Sequence, residues 1–354
     1  MTGTGQGTIS LVGDVMIRRP LAESGRGRAA GFQAALAAMR ESDLVIANLE
    51  MPLSRRGFRV PKHSNLRSDP DVIRDVRAMG VDAVTLANNH MYDYGPEALQ
   101  DTIAACRAAA VTCCGAGNDL EEAMAPARLR AGAAEIALLS VACTLPIESA
   151  ARPGKPGIAP IEVVWSFEPD VNLTVEQPGT MPTVRTCASS VDRQRVCNHI
   201  AELCAEGHVV IVGIHWGVPE HWLCPASGRL AEYQRPLGHA LIDAGAAIVF
   251  GHHSHSLHPI EVYRGRPIVY SAGNFLFEDP RRFMAPESVI VQVSLAERHE
   301  VTLVPAVLDA EGFPQLATGS AAGRVLDWLR ELSGGFGTAL AIEGDRGRLV
   351  LGQS

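Results

Sequence analysis

Residues 242–277 read IDAGAAIVFGHHSHSLHPIEVYRGRPIVYSAGNFLF and carry the clearest pattern in the chain. The segment 246–255 predicts a strand that runs directly into three histidines. The segment 260–277 predicts a hairpin with Arg-Gly at its turn. Three histidines within four positions at a strand end are hard to place without metal binding or catalysis, so GHHSH marks a candidate functional site.

The alternation of strand and helix extends over the rest of the chain. Strands are predicted at 8–13, 43–50, 81–90, 134–142 and 208–217, and a second hairpin at 288–308. Helices are predicted at 31–42, 69–80, 95–109, 191–207 and 235–245. This alternation indicates an α/β fold with strands paired partly in parallel, and the hairpins indicate a mixed sheet.

The domain organisation follows from composition along the chain. Residues 150–190 are rich in Pro and Gly and show little periodicity, so we expect a long loop near the mouth of the site. No internal repeat or clear linker is evident. We therefore predict one domain over residues 1–354, in which 278–354 form a C-terminal hairpin and helix packed on the core.

Composition and charge exclude several classes of protein. The 354 residues are 47% hydrophobic, which is enough for a large core. A formal net charge of -8 and a pI near 5.8 exclude a global basic field for nucleic acid. The start of the chain lacks a basic segment, and no stretch reaches the roughly 18 apolar residues of a membrane span. We expect a cytoplasmic protein without a membrane anchor.

Cysteines and nucleotide-binding motifs offer no alternative site. None of the eight cysteines forms a CxxC pair, and reduced structural thiols are the favoured interpretation over a zinc ribbon. The sequence has no P-loop, no GxGxxG at a strand end and no GxSxG. This disfavours an ATP-dependent ligase, a dehydrogenase and a serine hydrolase.

Five predicted strands end in side chains that can bind a metal. In open α/β sheets the carboxyl ends of the strands form the site, so these side chains are expected to converge. Carboxylates, an amide and imidazoles together suit Zn, Mn, Fe, Co or Ni better than Ca. One carboxylate can bridge two such ions, as in two-metal hydrolases. The predicted ligands are Asp14, Glu50, Asn89, His215, His252, His253 and His255.

Each of these residues also has an ordinary structural interpretation. Asp14 could cap a turn, Glu50 could be an exposed loop charge, and Asn89 could belong to a turn with unusual backbone angles. His215 beside Trp216 could be a satisfied core histidine. The joint pattern at five strand ends nevertheless favours a metal centre.

The order of these motifs resembles that of the CapA family of poly-γ-glutamate capsule biosynthesis proteins, a branch of the calcineurin-like metallophosphoesterases. The resemblance rests on GD, NLE, NNH with a following D and G, HWG, GHH-x-H and YSxGNF. It also includes NLRSDP at 65–70 and EQPGT at 176–180, and it runs along nearly the whole chain. The implied fold is a metallophosphatase-like sandwich of two mixed β-sheets flanked by helices.

The resemblance implies a role for each motif residue. Asp14 resembles the aspartate that binds one metal, Glu50 the bridging carboxylate and Asn89 the amide ligand. His90 resembles the proton donor beside that amide, and His215 the histidine of the fourth motif. The final His-x-His pair corresponds to His253 and His255. The implied cofactor is a pair of divalent transition-metal ions, Mn, Zn or Fe.

The chain departs from the family pattern at two places. Metallophosphoesterases usually begin Asp-x-His, but the third position here is Met16, so one ion loses a ligand that His252 could replace. Many CapA-type proteins carry an N-terminal anchor or signal, and none is evident here. Near HWG, Glu220 and His221 could orient a ligand or be plain loop residues, and the loop interpretation is slightly favoured.

A basic loop at 54–67 and two further motifs supply candidate substrate contacts. The loop could be a solvated surface or an anion clamp, with Arg67, Arg59 and Lys62 as substrate-binding candidates. Asp93 either orients His90 or caps the next helix. From the YSAGNF motif, either Tyr270 and Asn274 line the pocket or they only end a strand.

These observations support a metal-dependent hydrolase in which a metal-bound hydroxide attacks a phosphoester or a γ-glutamyl-type amide. His90 would act as general acid, with Asp93 beside it, and Arg67 would stabilise the anionic transition state. The expected partner is a small anionic substrate, with no nucleic acid. An amide-forming or glutamyl transferase of capsule or natural-product synthesis, and a non-catalytic accessory protein of a polymer-synthesis complex, remain alternatives. Oligomeric state stays open.

Overall fold

A computed structural model describes residues 7–217, 228–278, 284–296 and 300–351 of the chain. Its main strands form two mixed β-sheets that pack face to face, with helices on the outer surfaces. This confirms the predicted α/β sandwich. Among the described residues, no helix combines the length and the apolar character needed to cross a membrane.

The strands alternate with helices over most of the chain. The strands are β1 (Thr8–Met16), β2 (Leu44–Leu49), β3 (Ala83–Thr85), β4 (Thr112–Cys114), β5 (Ala116–Gly117), β6 (Ala127–Ala131), β7 (Ala134–Ala142), β8 (Gly157–Ile158), β9 (Val163–Glu168), β10 (Thr183–Ala188), β11 (Val209–His215), β12 (Ile248–His252), β13 (Ile260–Tyr263), β14 (Arg266–Val269), β15 (Asn274–Phe277), β16 (Glu287–Ser294), β17 (Glu300–Leu308), β18 (Pro314–Leu316), β19 (Leu340–Glu343) and β20 (Arg346–Leu349). The helices are α1 (Leu21–Ser24), α2 (Ala30–Met39), α3 (Val72–Ala78), α4 (Gly95–Ala108), α5 (Leu120–Met124), α6 (Val171–Glu176), α7 (Ser190–Ala205), α8 (Gln234–Asp243) and α9 (Gly319–Gly334).

Parallel strands occupy the centre of both sheets. The larger sheet has the order β19-β20-β17-β16-β1-β2-β3-β4, with β15 also beside β1 and β18 beside β17. Its strands β1 to β4 run parallel, and β15 runs parallel to the end of β1. The smaller sheet has the order β13-β14-β12-β11-β7-β6, in which β7, β11, β12 and β14 are parallel. The carboxyl ends of the parallel strands therefore gather at one edge of each sheet.

The hydrophobic core forms three layers. Between the sheets, apolar side chains such as Leu11 of β1 and Ile211 of β11 form one buried cluster. Helices α2, α3 and α4 cover the outer face of the larger sheet, and α7 and α8 cover that of the smaller sheet. Each fully buried Leu or Ile side chain contributes about 1.5–3 kcal/mol of transfer free energy, so these layers hold the strand ends in fixed positions.

Glycine permits the close approach of β1 and β15 at the site edge. A Cβ atom on Gly13 would lie 1.8 Å from the carbonyl oxygen of Gly273, which itself has a φ of +73°. The register there pairs Asp14 with Asn274 and shifts at Asp14, as in a β-bulge. A larger residue at Gly13 would push apart the two strands that carry these side chains.

Three predicted segments differ from the observed structure. The strand predicted at 81–90 ends at Thr85, because the following residues form a turn whose His90 and Met91 amides donate to the Asn88 side chain. Only the first part of 260–277 is a hairpin, since β15 crosses to the larger sheet. The loop expected at 150–190 was wrong: it contains β8, α6 and the hairpin of β9 and β10.

The C-terminal region carries the predicted hairpin and helix together with further strands. Strands β16 and β17 form the hairpin and extend the larger sheet beyond β1. Helix α9 packs its Val325, Leu326 and Leu329 into the core between the sheets. Strands β18, β19 and β20 were not predicted. The single-domain boundary stays a prediction, and Glu220, His221 and Cys224 lie outside the described residues.

Candidate metal centre

The structure brings the predicted metal ligands together from both sheets. Asp14 lies in β1, Glu50 follows β2, Asn89 lies in the turn after β3, and His215 and His252 end β11 and β12. Three overlapping groups each place one ligand atom per residue within 4.8 Å of the others: Asp14–His215–His252, Glu50–His215–His253 and Asp14–Glu50–His255. These buried and half-buried groups could hold a metal ion.

Glu50 belongs to two of these groups, as Asp14 and His215 also do. Its side chain is fully buried, and neither carboxylate oxygen has a hydrogen-bond partner among the described residues. Burial, followed by the neighbouring Asp14 carboxylate, raises the pKa of Glu50 well above its usual value. A buried carboxylate with both oxygens unpaired is costly unless a cation binds it.

Three potential ligand atoms converge beside Oε1 of Glu50. Nε2 of His215 lies 3.6 Å from Oε1 of Glu50, 2.8 Å from Oδ1 of Asn89 and 3.1 Å from Nδ1 of His253. Burial and then the surrounding imidazoles lower the pKa values of His215 and His253 well below the usual value. Both rings are therefore neutral near pH 7, which is the form that binds metal.

His255 also approaches Glu50 and lies next to Asp14. Its Nδ1 is 3.5 Å from Oδ2 of Asp14 and 2.8 Å from Oδ1 of Asn274, and its Nε2 is 3.7 Å from Oε1 of Glu50. With Nδ1–H donated to Asn274, Nε2 keeps its lone pair for a ligand. Asn274 is buried, so the structure places it behind a ligand rather than on an open pocket wall.

The backbone of the GHHSH segment is held in unusual conformations. His253 has a φ of 98° and His255 a φ of 51°, in the left-handed region that non-glycine residues rarely adopt. The backbone amide of His253 donates to Oδ2 of Asp14 at 3.3 Å. Such strain persists only where the surrounding structure fixes it, and here it turns both imidazoles toward the carboxylates.

His252 and Met16 bear on the ligand that the family pattern has and this chain lacks. Met16 is buried in the apolar cluster on the outer side of the larger sheet. His252 is buried against Asp14 and His215, and its Nε2 has no hydrogen-bond partner among the described residues. Burial lowers the pKa of His252 and favours the neutral ring. The structure thus offers His252 as a further ligand on the Asp14 side.

Asn48 belongs to the site although sequence reasoning gave it no role. It is fully buried in β2, and its Nδ2 donates to Oδ1 of Asp14 at 2.8 Å. The same Nδ2 lies 3.5 Å from Nδ1 of His215. Its Oδ1 accepts from Thr85 and Asn88. Asn48 therefore links the two sheets behind the ligands, and its place in the NLE motif was the available signal.

A second cluster lies directly beside the ligands. Nδ1 of His90 is 2.7 Å from Oδ2 of the fully buried Asp93. The ammonium of Lys62 is 2.5 Å from the other Asp93 oxygen and 2.6 Å from the carbonyl of Asn89. Burial lowers the pKa of His90, although Asp93 opposes this shift. Asp93 thus orients His90, one of the two roles considered for it.

The arginines of the basic loop divide into two kinds. Arg55 pairs with Asp69, and Arg56 pairs with Asp101, so carboxylates neutralise both. Arg67 is exposed, and its guanidinium stacks over the ring of Tyr94 at 4.0 Å. Arg59 is also exposed and donates to the Asn65 amide oxygen at 3.3 Å. Arg59 and Arg67 are thus the loop arginines still suited to bind an anion.

Tyr270 does not line the site in the structure. It is fully buried, stacks on Trp216 at 5.4 Å, and donates its hydroxyl to Oε2 of Glu261 at 2.8 Å. The expectation that it contacts substrate was therefore wrong, because its polar end faces Glu261 within the layer below α8. No disulfide joins the cysteines within the described residues.

Comparison with known proteins identifies the family. The family model "Bacterial capsule synthesis protein PGA_cap" matches residues 8–279. The chain belongs to this family. It is 28% identical over 318 residues to "Capsule biosynthesis protein CapA" of Bacillus anthracis, an alignment that covers 88% of this chain and 69% of the relative. It is 29% identical over 302 residues to "PGA biosynthesis protein CapA" of Bacillus subtilis, which covers 83% and 70%.

A third relative is named for polyglutamine synthesis. A "Probable polyglutamine synthesis accessory protein" of Mycobacterium tuberculosis is 33% identical over 239 residues, which is 66% of this chain and 55% of the relative. The chain thus spans between about half and seven tenths of the length of these three relatives. The family is named for capsule synthesis, and the relatives for capsule, PGA or polyglutamine synthesis.

The residues of this family member fit a divalent transition metal. The unpaired oxygens of Glu50, the unpaired Nε2 of His252 and the neutral His215 ring are the groups that a cation would satisfy. Carboxylate oxygens, an amide oxygen and imidazole nitrogens form a mixed set that suits Mn, Zn or Fe. Glu50 belongs both to the group with His215 and His253 and to the group with Asp14 and His255, so it is a carboxylate that two ions could share.

Proposed function

We propose that this capsule synthesis family member is a metal-dependent hydrolase that acts on a phosphoester or a γ-glutamyl-type amide. The observation that carries the proposal is Glu50, which is shared by two ligand groups and has both oxygens unpaired. Glu50 would bridge two ions, with Asn89, His215 and His253 on one side. Asp14 and His255, with His252 beside them, would complete the other side.

The metals would supply activation of a water molecule and neutralisation of charge on the attacked group. The residues of the chain would perform the remaining steps. His90 would donate a proton from Nε2 to the leaving group, because Asp93 holds its Nδ1. Arg59 and Arg67 would attract the anionic substrate at the exposed loop. The substrate would therefore carry negative charge near the bond that breaks.

The names of the relatives support a second candidate for the same site. Those names refer to synthesis of capsule, PGA or polyglutamine. A glutamyl transferase would use the same electrophile but pass the acyl group to an amine instead of water. The product formed in the presence of an amine distinguishes the two reactions. The word "accessory" in one name favours a third outcome, metal binding without turnover.

The test compares metal content and activity in matched proteins purified without a His tag. We expect about two transition-metal ions per chain in the wild type and fewer in His253→Ala. His199→Ala, on the surface of α7, is the control. Each protein is assayed on a phosphodiester, a phosphomonoester and a γ-glutamyl amide, with and without a primary amine. Loss of metal and of one activity in His253→Ala alone supports the proposal, and a metal-free wild type under several loading conditions contradicts it.

A further inference from the structure

Lys62 points inward from the basic loop, unlike the arginines around it. Its side chain is 16% exposed, whereas that of Arg55 is 69% exposed and that of Arg56 is 63% exposed. The chain contains only two lysines, Lys62 and Lys155, among 31 basic residues. Arginine thus supplies nearly every cation in this protein, and one of the two exceptions lies against the candidate centre.

The Lys62 ammonium completes the surroundings of Asp93. Oδ2 of Asp93 accepts hydrogen bonds from Nδ1 of His90 at 2.7 Å and from the backbone amide of Leu66 at 2.6 Å. Oδ1 accepts a hydrogen bond from the Lys62 ammonium at 2.5 Å. A fully buried carboxylate is stable only when it is paired and hydrogen-bonded. Lys62 therefore pairs one oxygen of the buried Asp93 side chain, while the other oxygen accepts the hydrogen bond from Nδ1–H of His90.

A second contact ties Lys62 to the ligand turn. The ammonium donates to the backbone carbonyl of Asn89 at 2.6 Å, so one side chain holds both Asp93 and the turn that carries Asn89 and His90. The same ammonium also lies 3.3 Å from Nδ1 of His90. An ammonium is a compact charge with three donors, which suits several partners at different angles. These contacts occupy Lys62, so its ammonium faces protein groups rather than an open anion site.

We propose that Lys62 is a positioning residue, which fixes the ring of His90 through Asp93, and is not part of the substrate-binding surface of the loop. The identity of His90 as the general acid rests on the proposed function. The positioning itself rests on the contacts of Lys62, Asp93 and Asn89. A substrate-binding lysine would act on KM, whereas a positioning lysine acts on the proton-transfer step and therefore on kcat.

The kinetic test uses Lys62→Met, Lys62→Arg and Lys155→Met on the substrate class that the wild type turns over. Lys155 is a matched control, because its ammonium also binds a carboxylate, that of Glu148 at 2.6 Å, and the Glu148 backbone carbonyl at 2.9 Å. We expect Lys62→Met to lose about 10- to 100-fold in kcat with little change in KM. Lys62→Arg should recover part of kcat, and Lys155→Met should match the wild type. A raised KM with unchanged kcat, or Arg no better than Met, would overturn the proposal.

A second measurement decides the inference even without turnover. Ring ¹⁵N spectra of histidine-labelled, zinc-exchanged protein report the tautomer of each imidazole at one fixed pH, and His90→Gln identifies the His90 signals. We expect a single form protonated at Nδ1 in the wild type and in Lys155→Met, and loss of that single form in Lys62→Met. An unchanged His90 pattern in Lys62→Met would overturn the inference. Absence of turnover with the expected pattern would instead count against the proposed function alone.

Discussion

Oε1 of Glu50 lies 3.6 Å from Nε2 of His215, and both side chains are fully buried. Burial, and then the Asp14 carboxylate, raises the pKa of Glu50, while burial and the neighbouring imidazoles lower the pKa of His215. In the metal-free chain each group therefore tends toward its neutral form, and the pair does not act as an ion pair. A divalent cation would reverse the preference of Glu50 and use the neutral ring as it stands.

The first prediction concerns the stability of the metal-free chain. Because the pKa of Glu50 is raised on folding, the folded state binds its proton more tightly than the unfolded state does. The free energy of unfolding therefore falls as pH rises from the ordinary glutamate value toward the raised value. Glu50→Gln has no carboxylate to ionise, so it lacks this loss of stability. Without metal, we expect its free energy of unfolding to exceed that of the wild type, by more at pH 8 than at pH 5.

Urea unfolding in the presence of a chelator measures this difference. Glu121→Gln, on the exposed surface of α5, should follow the wild type at both pH values. Addition of metal should make the wild type more stable than Glu50→Gln, because only the wild type keeps the shared carboxylate. A wild type that gains stability over Glu50→Gln between pH 5 and pH 8 without metal would contradict the account.

The second prediction concerns metal stoichiometry. Glu50 belongs to both the His215–His253 group and the Asp14–His255 group, so Glu50→Ala should lose both ions. His255→Ala should lose only the ion on the Asp14 side and retain about one per chain. Elemental analysis after gel filtration measures both values, with His199→Ala as the surface control. Equal losses in Glu50→Ala and His255→Ala would argue against a bridging role for Glu50.

The sequence predicted which side chains converge because strand ends leave a readable signal. A buried apolar run that stops at Asp14, His215 or His252 marks the carboxyl end of a strand, and parallel pairing brings such ends together. The residues behind the ligands leave no such signal. Asn48 lies inside a buried strand, and its contacts with Asp14 and His215 depend on how the two sheets meet.

Tertiary packing also explains the errors. Tyr270 follows β14 of the smaller sheet, whereas Asn274 begins β15 of the larger sheet. The chain crosses between the sheets after Tyr270, so the two side chains face different layers. The pattern could not reveal this crossing. The hairpin of β9 and β10 was missed because Trp165 and Phe167 are largely exposed, and an exposed strand lacks the usual burial alternation.

The third prediction tests the support of His255 by Asn274. Oδ1 of Asn274 lies 2.8 Å from Nδ1 of His255 and fixes the ring that faces Glu50. Asn274→Leu should weaken binding of one ion by about 10- to 100-fold, while Asn274→Asp should largely retain it because an acceptor remains. Calorimetric titration of the chelated protein measures this. Asn198→Leu, which removes a surface hydrogen bond with Gln194, should have no effect. Equal affinities in the Leu and Asp variants would exclude the hydrogen bond as the cause.

The fourth prediction lies outside the site, at Glu261. Arg235 and His239 donate to Oε1 of Glu261 at 2.8 and 2.9 Å, and Tyr270 donates to Oε2 at 2.8 Å. Burial raises the pKa of Glu261, but these hydrogen bonds outweigh it and leave the pKa lowered. The stabilisation is therefore present above the ordinary glutamate pKa and is lost as pH falls through the lowered value.

Glu261→Gln removes the charge but keeps an acceptor for part of this network. At pH 7 we expect it to lower the free energy of unfolding by roughly 1.5–3 kcal/mol, the range for hydrogen bonds to a charged group. The gap from the wild type should narrow as pH falls below the ordinary glutamate range, because the wild-type carboxylate then becomes protonated. Denaturant unfolding at pH 7 and at about pH 3 to 4 measures the gap, with Glu121→Gln as the exposed control. A gap that stays constant over this range would mean that the shape of the side chain, and not its charge, stabilises the layer below α8.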